Sequence, residues 1–138
     1  MEYRWVFFVL LTLLVWGCWG FLTRVAAASL GWRDTTAIAA IGNMIAAVSF
    51  IMLSRAELAP QSPSWFAALS AGVLGFLGAL TFYVAVDQNP SSLVIVATSL
   101  YPIITIILSV LLLGENMSVR QMVGVAFAIL ALILISGR

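Results

Sequence analysis

The chain has 138 residues, 64% of them hydrophobic and 8% charged, a net charge of +1 and a mean hydropathy of +1.18. A soluble domain carries roughly 25% charged residues, so this composition excludes a water-solvated globule and makes lipid the solvent. The near-neutral charge leaves no footprint for nucleic acid; with no His and Cys18 as the one cysteine, an intrachain disulfide and a Cys/His metal cluster are excluded too.

Crossing the hydrocarbon takes about 20 apolar residues of helix, and the gaps between charges supply them. The 19 uncharged residues between Arg4 and Arg24 span about 29 Å as a helix and anchor a first span at 5–30. Ala26-Ala27-Ala28 imitates a signal cleavage site. Glu2 offsets Arg4, however, and the apolar run is longer than a signal core, so the segment is read as a retained span. Thr12, Trp16, Trp19 and Thr23 recur at i, i+4, i+7 and i+11 and share one face. Arg24 follows near the far end; it either snorkels to the interface or holds an anionic group. Cys18 reads as a small buried hydrophobe.

The second span is predicted at 35–54, with Asn43 in its middle, either bonding between helices or lining a cavity. Ser62-Pro63 opens a third span, 63–86. Its Ala71, Gly75 and Ala79, flanked by Gly72 and Gly78, form a close-packing face. Tyr83 lies one turn before Asp87, which belongs at the membrane interface.

Asn89-Pro90 opens the fourth span, 90–113, where Thr98, Tyr101, Pro102, Thr105 and Ser109 share a face. Pro102, mid-span, predicts a kink and a freed carbonyl that faces a cavity or a neighbour. Gly114-Glu115-Asn116 is the next turn, its carboxylate placed before the positive end of a fifth helix. That span, 119–137, starts with the S-x-x-Q spacing of a capping box, Ser118 to Gln121. Gly124 and Ala128 make a small-x-x-x-small pair, and the Ala, Leu and Ile beyond suit a dimer seam or the lipid face.

The expected architecture is thus all-α, an integral membrane bundle of five transmembrane helices forming a single domain over 1–138. No Asp, Glu or Lys lies near the centre of a span, where a charge costs about 2.5–3.5 kcal/mol, so the usual proton carrier of a pump is missing. Without His there is no hydrolytic triad, and neither a phosphate loop nor a filter-like carbonyl loop is present. No enzyme activity, cofactor or metal is expected.

Five spans put the termini on opposite sides, with Arg4, Arg55 and Arg120 on one and Arg24, Arg33 and Arg138 on the other. Orientation follows the Lys/Arg bias at span ends, and three against three is no bias. Dual topology is therefore expected. Many secondary transporters are two inverted repeats around a midplane site; an antiparallel homodimer would supply the repeat that five helices lack. A parallel dimer, or pairing with a different chain, stays open.

The run of Pro102, Gly114-Glu115, Gln121 and Gly124 resembles the signature of EamA-type domains in the drug/metabolite transporter superfamily. Trp16-Gly17 followed by Arg24 is similar to that domain's opening motif. Ala131 stands where the pattern has a second glycine. The resemblance covers the whole chain and implies a five-helix, half-size transporter working as a dimer. The related small multidrug resistance proteins exchange protons on a glutamate of their first helix; this first span has no acid, and that mechanism is not carried over.

Residues and resemblance together predict a multi-pass protein of the inner membrane, a dimeric secondary transporter of small metabolites or amphipathic compounds working by alternating access. Its expected binding residues are Thr12, Trp16, Trp19, Thr23, Arg24, Asn43, Tyr83, Thr98, Tyr101 and Thr105. Aromatic faces would hold an apolar or ring-bearing substrate, with hydroxyls and Asn43 orienting it. The alternative is a non-transporting structural or assembly subunit of a membrane complex.

Overall fold

A computed structural model describes residues 3–56, 58, 62–89 and 91–136. The chain is all-α, with no strand among the described residues. Its helices are α1 (Arg4–Ser54), α2 (Pro63–Gln88), α3 (Ser92–Thr98), α4 (Tyr101–Leu113) and α5 (Val119–Ser136). They fall into two compact units, Met1–Pro90 and Ser91–Arg138.

In the first unit α1 is 51 residues long, about 77 Å at 1.5 Å per residue and far more than one bilayer crossing. It is broken once, at Gly31, where φ is 74° and ψ is 169°. Only glycine adopts that backbone region without strain, so the residue divides the helix into arms 4–30 and 32–54. The sequence predicted a connection over 31–34; the structure keeps Trp32, Arg33 and Asp34 helical and confines the break to one residue. Asp34 then lies in the first turn of the second arm, where a carboxylate favours the helix dipole.

α2 begins as expected, with Ser62 extended and Pro63 in the first turn, although Ser62 makes no side-chain cap bond. It packs against α1. Among its described residues, those buried are Gly20, Thr23 and Ala27 of the first arm, Thr35 and Thr36 of the second, and Phe82, Tyr83 and Val86 of α2. On α1 they all lie within about three turns of Gly31.

In the second unit the expected fourth span is two helices. Pro102 lacks the N–H that Thr98 would bind, and its ring clashes with that same carbonyl at i−4; α3 ends at Thr98. Ser99 (ψ −3°) and Leu100 (ψ −1°) occupy the bridge between helices, and Pro102 sits in the first turn of α4. The mid-span kink is therefore a complete break placed one turn earlier. Its start also differs. Pro90 lies outside the described residues, Asn89 closes α2 through an N–H to Ala85 O bond of 3.0 Å, and Ser91 caps α3 by accepting from Leu93 N at 3.2 Å.

Gly114 ends α4 in the left-handed region, φ 68° and ψ 24°, and Glu115 N donates back to Ser109 O at 3.4 Å. The capping box forms: Ser118 N donates to Gln121 Oε1 at 2.8 Å, and Gln121 N donates to Ser118 Oγ at 3.3 Å. α3 packs on α5. The end of the expected fifth span, at 137, lies outside the described residues.

Among the described residues three stretches are long and apolar enough to cross a membrane: Arg4–Ser54, Pro63–Gln88 and Ser92–Leu113, with Val119–Ala131 a shorter apolar helix. No residue of Ser92–Leu113 is buried inside the chain. Few side chains form a core, and large apolar residues such as Leu14, Phe21, Leu53 and Leu111 stand exposed.

The break at Gly31 gives a first test. Gly31→Ala is expected to lower unfolding free energy in detergent by about 1–3 kcal/mol, the cost of a non-glycine residue in that backbone region. Gly17→Ala, where an added Cβ meets nothing within 4 Å, should leave stability unchanged or slightly higher; thermal unfolding of both variants makes the comparison. Ser118→Ala is expected to remove about 0.5–2 kcal/mol of helix-cap stability and to speed amide exchange at Gln121.

Candidate functional site

The first unit gathers aromatic and hydroxyl groups around the α1–α2 contact. Trp19 stacks on Phe82 with centroids 5.1 Å apart and planes 26° apart. Tyr83 is tilted against both, 6.2 Å from Trp19 and 6.1 Å from Phe82. Phe82 and Tyr83 are buried, whereas Trp19 keeps 40% of its surface open. One ring thus faces outward from a platform that two others hold. Stacking of this kind orients rings beyond what area burial alone would do.

Hydroxyls flank the platform in sequence. Thr23, one turn after Trp19, is 6% exposed, and Thr35 and Thr36 of the second arm are 4% and 6% exposed. Thr36 Oγ1 donates to Trp32 O at 2.6 Å, the usual i−4 bond of a helical threonine. Gly20, also buried, lies one turn before Thr23 on the same arm. At the break, Asp87 Oδ1 lies 3.9 Å from where a Gly31 Cβ would stand. An anion there faces the start of the second arm, the end of a helix that favours negative charge. Arg33 lies over the Trp32 ring at 5.3 Å, a cation–π contact.

Among its described residues the second unit has open clefts between α4 and α5. One, of about 460 Å³, runs from Ser99, Leu100 and Pro102 at the helix break to Glu115, Asn116 and Gln121 at the turn. The other, of about 330 Å³, is apolar and lies between Ile103, Ile107 and Val110 of α4 and Met122, Val125 and Ile129 of α5. The first offers polar groups at one end and a greasy floor, and the second offers apolar surface alone.

Of the residues expected to bind substrate, Trp19 and Tyr83 come together in the α1–α2 patch, and Thr23 is buried one turn after Trp19 on the same arm. Thr12 and Trp16 lie on the outer part of the first arm, exposed, and Thr12 Oγ1 donates to Phe8 O at 2.8 Å. Arg24 is exposed beside Thr23, and Asn43 is exposed on the second arm. Thr98, Tyr101 and Thr105 belong to the second unit and are exposed; Thr98 Oγ1 donates to Val94 O at 2.8 Å. They do not line either cleft. Sequence reasoning missed Phe82, which reads as an ordinary lipid-facing residue, and Thr35, placed at the edge of a predicted span. The four-residue charged gap Gly31 to Asp34 was the available signal for a special backbone there.

Comparison with known proteins agrees with this architecture. Residues 3–137 match the EamA-like transporter family. A protein of Methanocaldococcus jannaschii described as uncharacterized is 30% identical over 96 residues, covering 70% of this chain and 69% of its own. No solved structure matches the chain. A match over nearly every residue, together with long apolar helices, leads to one conclusion: this multi-pass membrane protein belongs to the EamA-like transporter family.

Proposed function

We propose that this membrane transporter of small solutes is a secondary transporter of metabolites or amphipathic compounds, working in the inner membrane as an antiparallel homodimer. The observation that carries the transport reading is the family match over residues 3–137. The dimer is supported by two independent features: arginines balanced three against three across the expected membrane sides, and apolar helices with little buried side-chain surface of their own. An inverted second copy gives such a unit the partner that two-repeat transporters carry in one chain. Alternating access then follows from rocking of one copy against the other.

The proposed binding surface centres on the Trp19 face, with Thr23 and Tyr83 beside it. Thr12, Trp16, Arg24, Asn43, Thr98, Tyr101 and Thr105 remain the proposed lining of the wider pathway. An open indole over a buried aromatic pair suits a ring-bearing or apolar solute, and Arg24 is offered to an anionic group such as a carboxylate. The break before Pro102 is the proposed site of local bending in the second unit.

Solute counterflow in liposomes tests the site. Trp19→Ala is expected to insert normally and to cut transport at least about tenfold, the equivalent of roughly 1.4 kcal/mol; an unchanged rate would remove the platform from the pathway. Failure of the wild-type protein with broad metabolite and amphiphile panels would favour the structural-subunit reading. Topology gives a separate test. Tags on the wild-type amino terminus should be found on both membrane faces, and arginines added near one terminus should drive insertion one way. Tags confined to one face contradict dual insertion.

A further inference from the structure

The cleft of about 460 Å³ between α4 and α5 falls within the roughly 300–1,000 Å³ of ligand pockets. Its floor is apolar: Ile103 and Ile106 of α4, Met117 of the turn and Val125 of α5 line it and are half-buried. Gly124 lines it too, and a Cβ added there would meet nothing within 4 Å. No side chain of this chain fills that space. Polar groups gather at the end of the cleft formed by the turn, where Glu115, Asn116 and Gln121 line it. Ser118 engages Gln121 Oε1 through its N–H at 2.8 Å and its hydroxyl at 2.9 Å. At the other end Ser99 donates its hydroxyl to Val96 O at 2.7 Å. The Glu115 carboxylate and the Asn116 amide are the polar groups left to a ligand. Among the described residues Glu115 is the one charged residue in the lining; Arg120 lies outside it.

The cleft is also aligned with a bilayer. Ser92–Leu113 is long and apolar enough to cross a membrane, so Glu115, just beyond it, stands at the level of the lipid head groups. The 13 residues of α4 rise about 20 Å, against about 15 Å for half of the hydrocarbon core. The cleft therefore runs from the head-group level inward to the helix break at Ser99 and Leu100, the course of one acyl chain in one leaflet. We propose that it holds an acyl chain of a phospholipid whose head group ends in a primary ammonium, and that this ammonium donates to the Glu115 carboxylate and the Asn116 side-chain carbonyl. An ammonium offers three N–H donors and an ionised carboxylate only accepts. A trimethylammonium head carries the charge without an N–H to donate, and an anionic head is repelled by Glu115. The site is separate from the Trp19 surface and does not depend on it.

The test takes full-length protein from bilayers of equimolar phosphatidylethanolamine, phosphatidylcholine and phosphatidylglycerol with matched chains, and reads the retained lipid by native mass spectrometry. Wild-type protein should keep phosphatidylethanolamine about fivefold over either competitor, the scale of an exposed charge-assisted hydrogen bond. Glu115→Gln should bring it level with phosphatidylcholine. Gly124→Leu should lose the enriched lipid, because the new side chain enters the cleft. It should melt no lower than wild type, since nothing in the chain stands in its way and leucine is the better helix former. Equal retention of the three lipids by wild type, or an enrichment unchanged in Glu115→Gln or Gly124→Leu, overturns the proposal. So does ready disulfide formation between copies carrying Val125→Cys in a Cys18→Ser background, which puts a second chain in the groove. Flux of a long-chain alkylammonium that Glu115→Gln abolishes would make the occupant cargo, and overturns it as well.

Discussion

In hydrocarbon no water is available to a free backbone N–H or C=O, so a spanning chain must satisfy these groups by itself. This protein does so with helix along almost its whole described length. Any departure from helix is then conspicuous, and the described chain has few. One is the single residue Gly31, another the short link from Thr98 to Tyr101, and a third the turn through Gly114. Each is forced by an identifiable chemical cause: a left-handed backbone open to glycine, a proline without an N–H, and a glycine helix cap. Polar chemistry gathers at these places. The Gly31 break has Asp87 and an unpartnered Thr35 beside it, and the break before Pro102 opens onto the cleft that ends at Glu115.

The same solvent explains the scarcity of core. In water a chain must bury its apolar side chains; in lipid it need not, and helix association depends on packing of small residues and a few polar contacts. Among the described residues the buried hydrophobic ones are Ala27, Phe82, Tyr83 and Val86, all on α1 and α2. Gly20 and Thr23 of α1 are buried too, and the aromatic pair of α2 packs against Trp19. In the proposed dimer the second copy serves function more than burial: each chain would give one half of a pathway.

Much of this was legible in the sequence because hydropathy and charge gaps act over many residues at once. The all-α membrane class, the turn at Gly114-Glu115 and the capping box from Ser118 to Gln121 all follow from such signals. The helical repeat of the first span also placed Trp19 and Thr23 on one face, and the structure sets the Tyr83 ring against Trp19. The rest depended on single torsions. Gly31 looked like one member of a four-residue loop, and only its φ and ψ show that Trp32 to Asp34 stay helical. Pro102 foretold a disturbance but not that α3 would stop at Thr98. Phe82 resembles every other lipid-facing phenylalanine until its ring is seen against Trp19. Thr12 and Thr98 bond to their own helices, which spacing along a face does not reveal.

The central claim is that one chain is half of a transporter. Its most direct measurement is the copy number of active vesicles: fluorescently labelled protein reconstituted at decreasing protein-to-lipid ratio, with photobleaching steps counted and flux followed in the same liposomes. Transport confined to vesicles holding two or more copies is the predicted result. Undiminished flux from vesicles that bleach in a single step would contradict it.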